Sequence, residues 1–278
     1  MDIKHYIKLV TDPDEESIAN KLKAYLAGKD TFAKYFEEIE EEGALPDLYG
    51  KTVLVTSDQF SHIHKIITEL SALLEIKPPD CFVYDNYRYS IDSEGLKNPR
   101  LEISARMVKD FTSTELKHSI AKEMFHIKAG HLLYKVLTEK MIEALAHIPS
   151  VGIDEHISTK SLVDGWAFHF RYVAFRWFQH ACFSAENFAI VYTGDVKSSI
   201  SATLLSIFNE RKLSEAIKID SFIRQIEKIE ACIGPAATLE KINEVIPYGP
   251  YRILNMLRFV LSDNGKELFG QIGKTQGM

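Results

Sequence analysis

The chain has 278 residues, of which 46% are hydrophobic and 26% are charged, with a formal net charge of -6 and a pI of about 6.0. This composition is typical of a globular protein with a substantial core. The absence of a clustered basic surface in the sequence excludes a nucleic-acid-binding protein. No apolar run approaches the ~18 residues of a membrane-spanning helix, and the N-terminus has no apolar signal-peptide core. We therefore expect a cytoplasmic protein that does not associate with a membrane.

The cysteine pattern disfavours a thiolate metal site. Cys81, Cys182 and Cys232 are far apart in the sequence and form no CxxC pair, which is the spacing that zinc thiolate sites commonly use. Reduced thiols in a cytosolic protein fit this pattern.

Hydrophobic periodicity in the first part of the chain predicts helices at 16–42 and 57–74, with a loop at 43–50 that contains Gly, Pro and Asp. Two β-prone runs follow, CFVY at 81–84 and an alternating stretch at 99–104. The pattern predicts a mainly helical α+β fold, in which a small sheet is attached to a helical body.

The second half of the chain reads as helical almost throughout. Thr112 and Glu115 form a capping box, which predicts a helix that ends near Gly130. Further helices are predicted at 132–148, 161–183, 198–209, 213–233 and 251–269, with a loop at 149–159. The helix at 161–183 is rich in aromatic residues on all faces, which favours core packing.

The helix that begins after Thr112 contains the string KEMFH at 122–126. Zinc peptidases of the HExxH type place two His at i and i+4 on one helix face, and the intervening Glu acts as general base on the metal-bound water. Here Glu123 and His126 occupy the last two functional positions, whereas Lys122 replaces the first His. A protonated lysine has no lone pair and repels a divalent cation.

The residues around this string resemble the M48 (Ste24-like, gluzincin) zinc metallopeptidase family in a soluble form. The resemblance rests on Glu115-Leu116, on Glu123 with His126-Ile127-Lys128 and Gly130-His131, and on a late PYGPYRI segment at 247–253 that is similar to the family's THPxxxxRI. It covers about 78–269. It implies a gluzincin-like helical body with the sheet beside the active-site helix, divided as a helical N-terminal region at 1–75 and a peptidase-like domain at 76–278.

The third zinc ligand of this family is the Glu of an ExxADR segment, and the sequence leaves two alignments open. If Ala174 and Arg176 match the family's Ala and Arg, the ligand position is Arg171. The alternative places Asp164 at the ligand position and keeps a carboxylate. The resemblance favours Arg171. In the late segment, this chain has Pro247-Tyr248 where the family has His-Pro. The zinc-ligand set is therefore incomplete in either alignment.

Three functions follow as hypotheses. The first is a non-proteolytic pseudopeptidase without a metal, in which Lys122 and Arg171 replace zinc, Glu123 neutralises one of them, and the cleft binds a peptide, a protein or an anionic small molecule. The second is an active zinc endopeptidase with an atypical site, in which His126 and Asp164 hold the metal. The third is a repurposed enzyme that acts on a small or peptidic metabolite through Lys122.

Overall fold

The computed structural model describes residues 2–26, 42–146, 159–232 and 246–276. The fold is mainly helical with one small mixed sheet, as the sequence predicts. In chain order the elements are α1 (Ile3–Val10), α2 (Glu15–Tyr25), α3 (Glu42–Lys51), β1 (Val53–Leu54), α4 (Ser61–Leu74), β2 (Asp80–Tyr84), β3 (Ile91–Glu94), β4 (Arg100–Ser104), α5 (Ala105–Asp110), α6 (Ser113–Ala129), α7 (His131–Ala146), α8 (Thr159–Thr193), α9 (Val196–Phe208), α10 (Arg211–Glu215), α11 (Ile219–Ile223), α12 (Gln225–Ala231), α13 (Gly249–Leu261) and α14 (Asp263–Gln276).

The sheet has the strand order β1-β2-β4-β3, so that β3 lies at one edge. Strands β2 and β4 are parallel, and the outer strands pair with them in antiparallel fashion. The side chains of β3 alternate: Ile91 and Ser93 are buried, whereas Asp92 is exposed. This alternation places Ser93 against helix α6, which packs beside the strand.

Helix α6 is the central element. Its N-terminus is closed by the predicted capping box, since Thr112 accepts a hydrogen bond from the backbone N–H of Glu115 while the Glu115 carboxylate accepts one from the backbone N–H of Thr112. Its C-terminus is Gly130, which adopts a left-handed conformation with φ of 73°. Glycine tolerates this conformation at little cost. The turn at Gly130 brings the start of α7 back towards the last turn of α6.

Helix α8 passes α6 and extends ten residues beyond the predicted end at 183. In its C-terminal half, Phe188 packs on Phe125 of α6 with ring centroids 5.3 Å apart. Its N-terminal half packs on α2 and α7 in a second hydrophobic cluster, around Phe170 and Trp177. Burying aromatic rings of this size contributes strongly to the stability of such a core.

The main hydrophobic core draws on both predicted regions of the chain. Ile3 and Tyr6 of α1 and Ile63 of α4 belong to the same buried cluster as Leu101 of β4 and Ile120 of α6. The segment 1–75 thus shares a core with the rest of the described chain.

The predicted loop at 43–50 is wrong, because α3 runs through it. Pro46 lies inside this helix, where it costs a backbone hydrogen bond. The burial of Leu48 and the edge-on contact of Tyr49 with Phe82, at 5.5 Å between ring centroids, favour the helix through tertiary packing. Strand β3 lies between the two β-prone runs of the sequence and was not predicted.

Other boundaries differ more modestly. The predicted helix at 213–233 is divided into α10, α11 and α12 within its described part, and the one at 251–269 breaks at Ser262 between α13 and α14. The loop predicted at 149–159 lies almost entirely outside the described residues. Within the described residues, the helices are all too short or too polar to cross a bilayer.

Candidate functional site

A cavity of about 320 Å³ lies between β3, α6, α7, α8, α9 and the start of α13. This volume is at the lower end of the range for small-molecule sites. The residues that line it are Tyr89, Ser90, Ile91, Asp92, Ser93, Met107, His118, Ser119, Lys122, Glu123, His126, His131, Leu132, Lys135, Glu139, Phe178, Cys182, Ala202, Thr203, Ser206, Ile246 and Arg252. The three functional positions of the KEMFH string are thus all in its wall.

Lys122 and Glu123 form an ion pair in this wall, with 2.9 Å between Lys122 Nζ and Glu123 Oε1. The other carboxylate oxygen, Oε2, accepts hydrogen bonds from the backbone N–H and the hydroxyl of Ser93, at 3.1 and 2.8 Å. Three donors therefore occupy a carboxylate that has about four acceptor positions. Glu123 also holds the free edge of β3, since its oxygen pairs with a backbone N–H that a further strand would use.

The charges of this pair are stable over a wide pH range. Burial by itself raises the pKa of Glu123, but the Lys122 charge, the His126 ring and the hydrogen bonds from Lys122 and Ser93 together outweigh it and lower that pKa to about 2. Burial likewise lowers the pKa of Lys122, but the charge and the hydrogen bond of Glu123 together with Cys182 outweigh it, so the pKa of the ammonium is raised. At neutral pH Glu123 is consequently a poor general base and Lys122 is a poor nucleophile.

His126 faces the cavity and bonds to the next helix. Its Nδ1 lies 2.8 Å from Nδ1 of His131, and Nε2 of His131 lies 2.9 Å from Glu15 Oε1. The Glu15 carboxylate can only accept, so His131 carries its proton on Nε2. When the proton of this contact belongs to His126, its Nδ1–H donates to Nδ1 of His131 and its Nε2 keeps a lone pair. Burial lowers the pKa of His126 to about 3, which favours this neutral form.

On the opposite wall, helix α8 contributes Phe178 and Cys182. One turn further along, Glu186 is fully buried and forms an ion pair with Arg252 of α13, with its Oε1 at 2.6 Å from Nε and 2.5 Å from Nη2. Burial lowers the pKa of Arg252, but Glu186 outweighs this effect and the pKa is raised. Burial also raises the pKa of the Cys182 thiol to about 12.

No protein-family model matches the chain, and no solved structure gives a significant match. Among curated proteins, the chain is 22% identical over 188 residues to "Plastoglobule-localized metallopeptidase 48, chloroplastic" from Arabidopsis thaliana. The match covers 66% of this chain and 51% of the relative, so it spans about half of that protein's length. The chain is thus similar to a metallopeptidase over about two thirds of its length. This similarity supports the resemblance that the sequence motifs indicate.

The structure does not bring Arg171 or Asp164 together with Lys122. Both lie in the N-terminal half of α8 and neither lines the cavity. They precede Cys182 by 11 and 18 residues, which corresponds to about 16 and 27 Å along a helix axis. Arg171 places its guanidinium 5.8 Å from the ring centroid of Phe175, and Asp164 is exposed.

The residues that face Lys122 suggest a different alignment with the family's ExxADR segment. The string CFSAEN at 182–187 has Ala185 and the acidic Glu186 at the Ala and Asp positions, and it places Cys182 at the position of the third ligand. In the family's THPxxxxRI segment, the His lies six residues before the Arg. Counting back from Arg252, this position is Ile246, which lines the cavity, and not Tyr248. In the sequence, the pair Ala185-Glu186 indicates this alignment, but the match of Ala174 and Arg176 to the family's Ala and Arg indicates another one.

The donor set in the cavity does not fit a zinc ion. The ammonium of Lys122 lies where the first imidazole would be, and Cys182 carries a thiol whose raised pKa disfavours the thiolate that zinc requires. Among the described residues, no three His, Cys, Asp or Glu side chains of this cavity bring their ligand atoms within 4.8 Å of one another. His118 and His126 both line the cavity but lie eight residues apart on α6, about 12 Å along the axis.

One group of possible metal ligands does occur elsewhere. Asp12, Asp14 and His180 have ligand atoms within 4.8 Å of one another, outside the cavity. His180 Nδ1 and Asp12 Oδ1 are 2.7 Å apart and share a hydrogen bond, and Asp12 Oδ1 also accepts from the backbone N–H of Asp14. These bonds explain the proximity of the three side chains without an ion.

Proposed function

We propose that this chain is a non-proteolytic, M48-like protein that binds a peptide-like or small ligand in its cavity without a catalytic metal. The observation that carries the proposal is the Lys122–Glu123 ion pair, in which a tethered ammonium occupies the first ligand position of the motif. Ser93 donates two hydrogen bonds to the second oxygen of Glu123. The carboxylate that would activate water in a peptidase therefore binds other residues of the chain instead.

The two enzymatic alternatives have less support. An atypical zinc peptidase would need His126 and Asp164 to share one ion, yet Asp164 lies about 27 Å before the cavity residue Cys182 along the axis of α8. A Schiff-base or amine nucleophile at Lys122 would need a depressed pKa, whereas Glu123 raises it. Arg171, on which the expectation of an anionic ligand depends, does not line the cavity.

The proposal is tested first by the metal content of the purified protein. We expect substoichiometric zinc in the cavity after dialysis against trace zinc, and no cleavage of a fluorogenic peptide library. The variant His180→Gln is the control for zinc that binds at Asp12 and Asp14. One tightly held zinc per chain that survives His180→Gln, together with chelator-sensitive peptide cleavage, would overturn the proposal.

A gain-of-function variant tests the geometry of the degenerate site. The double substitution Lys122→His with Cys182→Glu supplies the two donors that the family pattern would require beside His126, and we expect it to bind one zinc per chain by calorimetry. The matched variant Lys122→His with Arg171→Glu carries the same kinds of substitution at the alternative position and should not gain this zinc. If only the Arg171 variant gained zinc, the alignment through Cys182 would be wrong.

A further inference from the structure

The cations in the cavity wall are all neutralised by neighbouring carboxylates. The lining contains Lys122, Lys135 and Arg252. Lys122 pairs with Glu123, and Arg252 pairs with Glu186. The third cation, Lys135, pairs with Glu94 at 2.6 Å. The wall therefore offers no unpaired positive charge to an anionic ligand from these described residues.

His118 and His126 do not change this balance. Burial lowers the pKa of both His118 and His126 to about 3, so neither carries a positive charge at neutral pH. His118 is only 2% exposed and is a lining residue, and its Nδ1 has no hydrogen-bond partner among the described residues. Leaving a buried polar atom unpaired is costly, which indicates that a ligand or water completes this wall.

Two carboxylates remain at the rim. Asp92 projects from the exposed face of β3, and Glu139 lies on α7. Neither forms an ion pair with a lysine, arginine or histidine of the described residues. Partial burial is the main cause that raises the pKa of each, and Glu123 adds to it for Asp92; the charge of Lys135 lowers both pKa values without cancelling this rise. An arriving cation would relieve this repulsion.

The hydrogen-bonding groups that stay available also favour a donor. Carboxylates accept only, and His126 keeps its lone pair on Nε2 when it donates from Nδ1. An ammonium has three N–H donors and no acceptor, which complements this set. Apolar wall residues such as Met107, Leu132 and Phe178 provide a surface for a short aliphatic or peptide chain attached to the amine.

We propose that the cavity binds its ligand through a cationic amine, such as a peptide N-terminus or a primary alkylamine, held at the rim by Asp92 and Glu139. This inference rests on the proposed function, because it requires the Lys122–Glu123 pair to be intact and the cavity to be free of metal. It assigns an amine to the ligand in place of the anion that the sequence alone suggested.

The test compares three unbranched probes of six carbon atoms each with different head groups: hexylammonium, hexanol and hexanoate. Binding to the full chain is measured at pH 7 by NMR titration, in buffer with EDTA so that amine coordination to a stray metal cannot contribute. We expect hexylammonium to bind at least about tenfold more tightly than hexanoate, with a Kd near 1 mM, a value within reach for a ligand of seven heavy atoms. Asp92→Asn with Glu139→Gln should abolish the preference, whereas Asp58→Asn, at an exposed site away from the cavity, should preserve it.

Equal affinities for the three probes, a preference for hexanoate, or no hexylammonium binding below roughly 10 mM would each overturn the inference. So would a preference for hexylammonium that persists in Asp92→Asn with Glu139→Gln. The metal content of the same preparation separates the two proposals. If zinc is found in the cavity but the carboxylate-dependent amine preference holds after its removal, the proposed function fails and the ligand class stands.

Discussion

Replacing Lys122 by Met removes the cation that holds Glu123 in the wall of the cavity. Glu123 is 7% exposed, and the Lys122 charge is the largest of the causes that lower its pKa. Removing one partner of a buried ion pair leaves the other charge uncompensated, which costs about 3–5 kcal/mol. We therefore expect the free energy of unfolding to fall by roughly 3 kcal/mol at pH 7.

The pH dependence gives the prediction a distinctive signature. In the wild-type protein the lowered pKa of Glu123 stabilises the fold fully above pH 4.5, and this contribution is lost as the pH falls from 4.5 towards 2. In Lys122→Met, burial without the cation raises that pKa above 4.5, so the penalty is largest at neutral pH and shrinks as the carboxyl takes up a proton. Burial is the main cause that lowers the pKa of His118 and of His126, and the Lys122 charge adds to it, so the variant also raises the pKa of both histidines.

The assay is urea denaturation followed by circular dichroism at several pH values between 5 and 8. The control is Lys117→Met, on the same helix but outside the cavity lining. A second substitution, Glu123→Gln, should recover part of the stability lost in Lys122→Met, because it removes the unpaired charge. A difference below about 1 kcal/mol that stays constant with pH, the range of a solvent-exposed pair, would refute the structural role assigned to Lys122.

Two further outcomes follow from buried groups around the cavity. Glu186→Gln leaves the guanidinium of Arg252 buried without its anion. We expect the midpoint of urea denaturation to fall by an amount that corresponds to a loss of about 3–5 kcal/mol. An unchanged midpoint would show that another group neutralises Arg252. Thiol titration with a disulfide reagent at pH 8 should label exposed Cys232 rapidly, whereas buried Cys81 and Cys182, whose pKa values burial raises to about 12, should react only in denaturant. Fast labelling of Cys182 in the native protein would contradict the closed packing of α8 against α6.

Much of the fold follows from local signals in the sequence. The capping box at Thr112 and the glycine at 130 predict both ends of α6 because each satisfies backbone groups that the helix itself cannot. The strand at 81–84 is found because its residues are β-prone, and the strand at 99–104 because its side chains alternate. Helix α3 and strand β3 are missed because tertiary contacts form them against local preference: β3 is short, and its Ser93 is held by Glu123 from a distant helix.

The site was predicted in part, and the limit has a physical cause. The family's ExxADR segment has six positions, and at the position that faces α6 this chain preserves one residue of it. Such a weak pattern can be placed at several positions on a 35-residue helix such as α8, which repeats every 3.6 residues. Packing against α6 selects one of them and brings Cys182, with Glu186 one turn later, towards the KEMFH string. The ion pair of Glu186 with Arg252 depends on a contact between residues 66 positions apart, which no local pattern contains.

The ammonium of Lys122 is covalently attached to the same helix as Glu123, the carboxylate that it neutralises. Such a pair responds to solution conditions differently from a carboxylate that is neutralised by a bound metal. A bound metal stabilises a fold by mass action, so that stability rises and falls with the free metal concentration. A tethered cation has a fixed local concentration and cannot be removed by a chelator or displaced by a competing ion. Under the proposed function, the charge balance around Glu123 is therefore set by the chain itself, and we expect the stability of the folded state at this position not to depend on the zinc concentration.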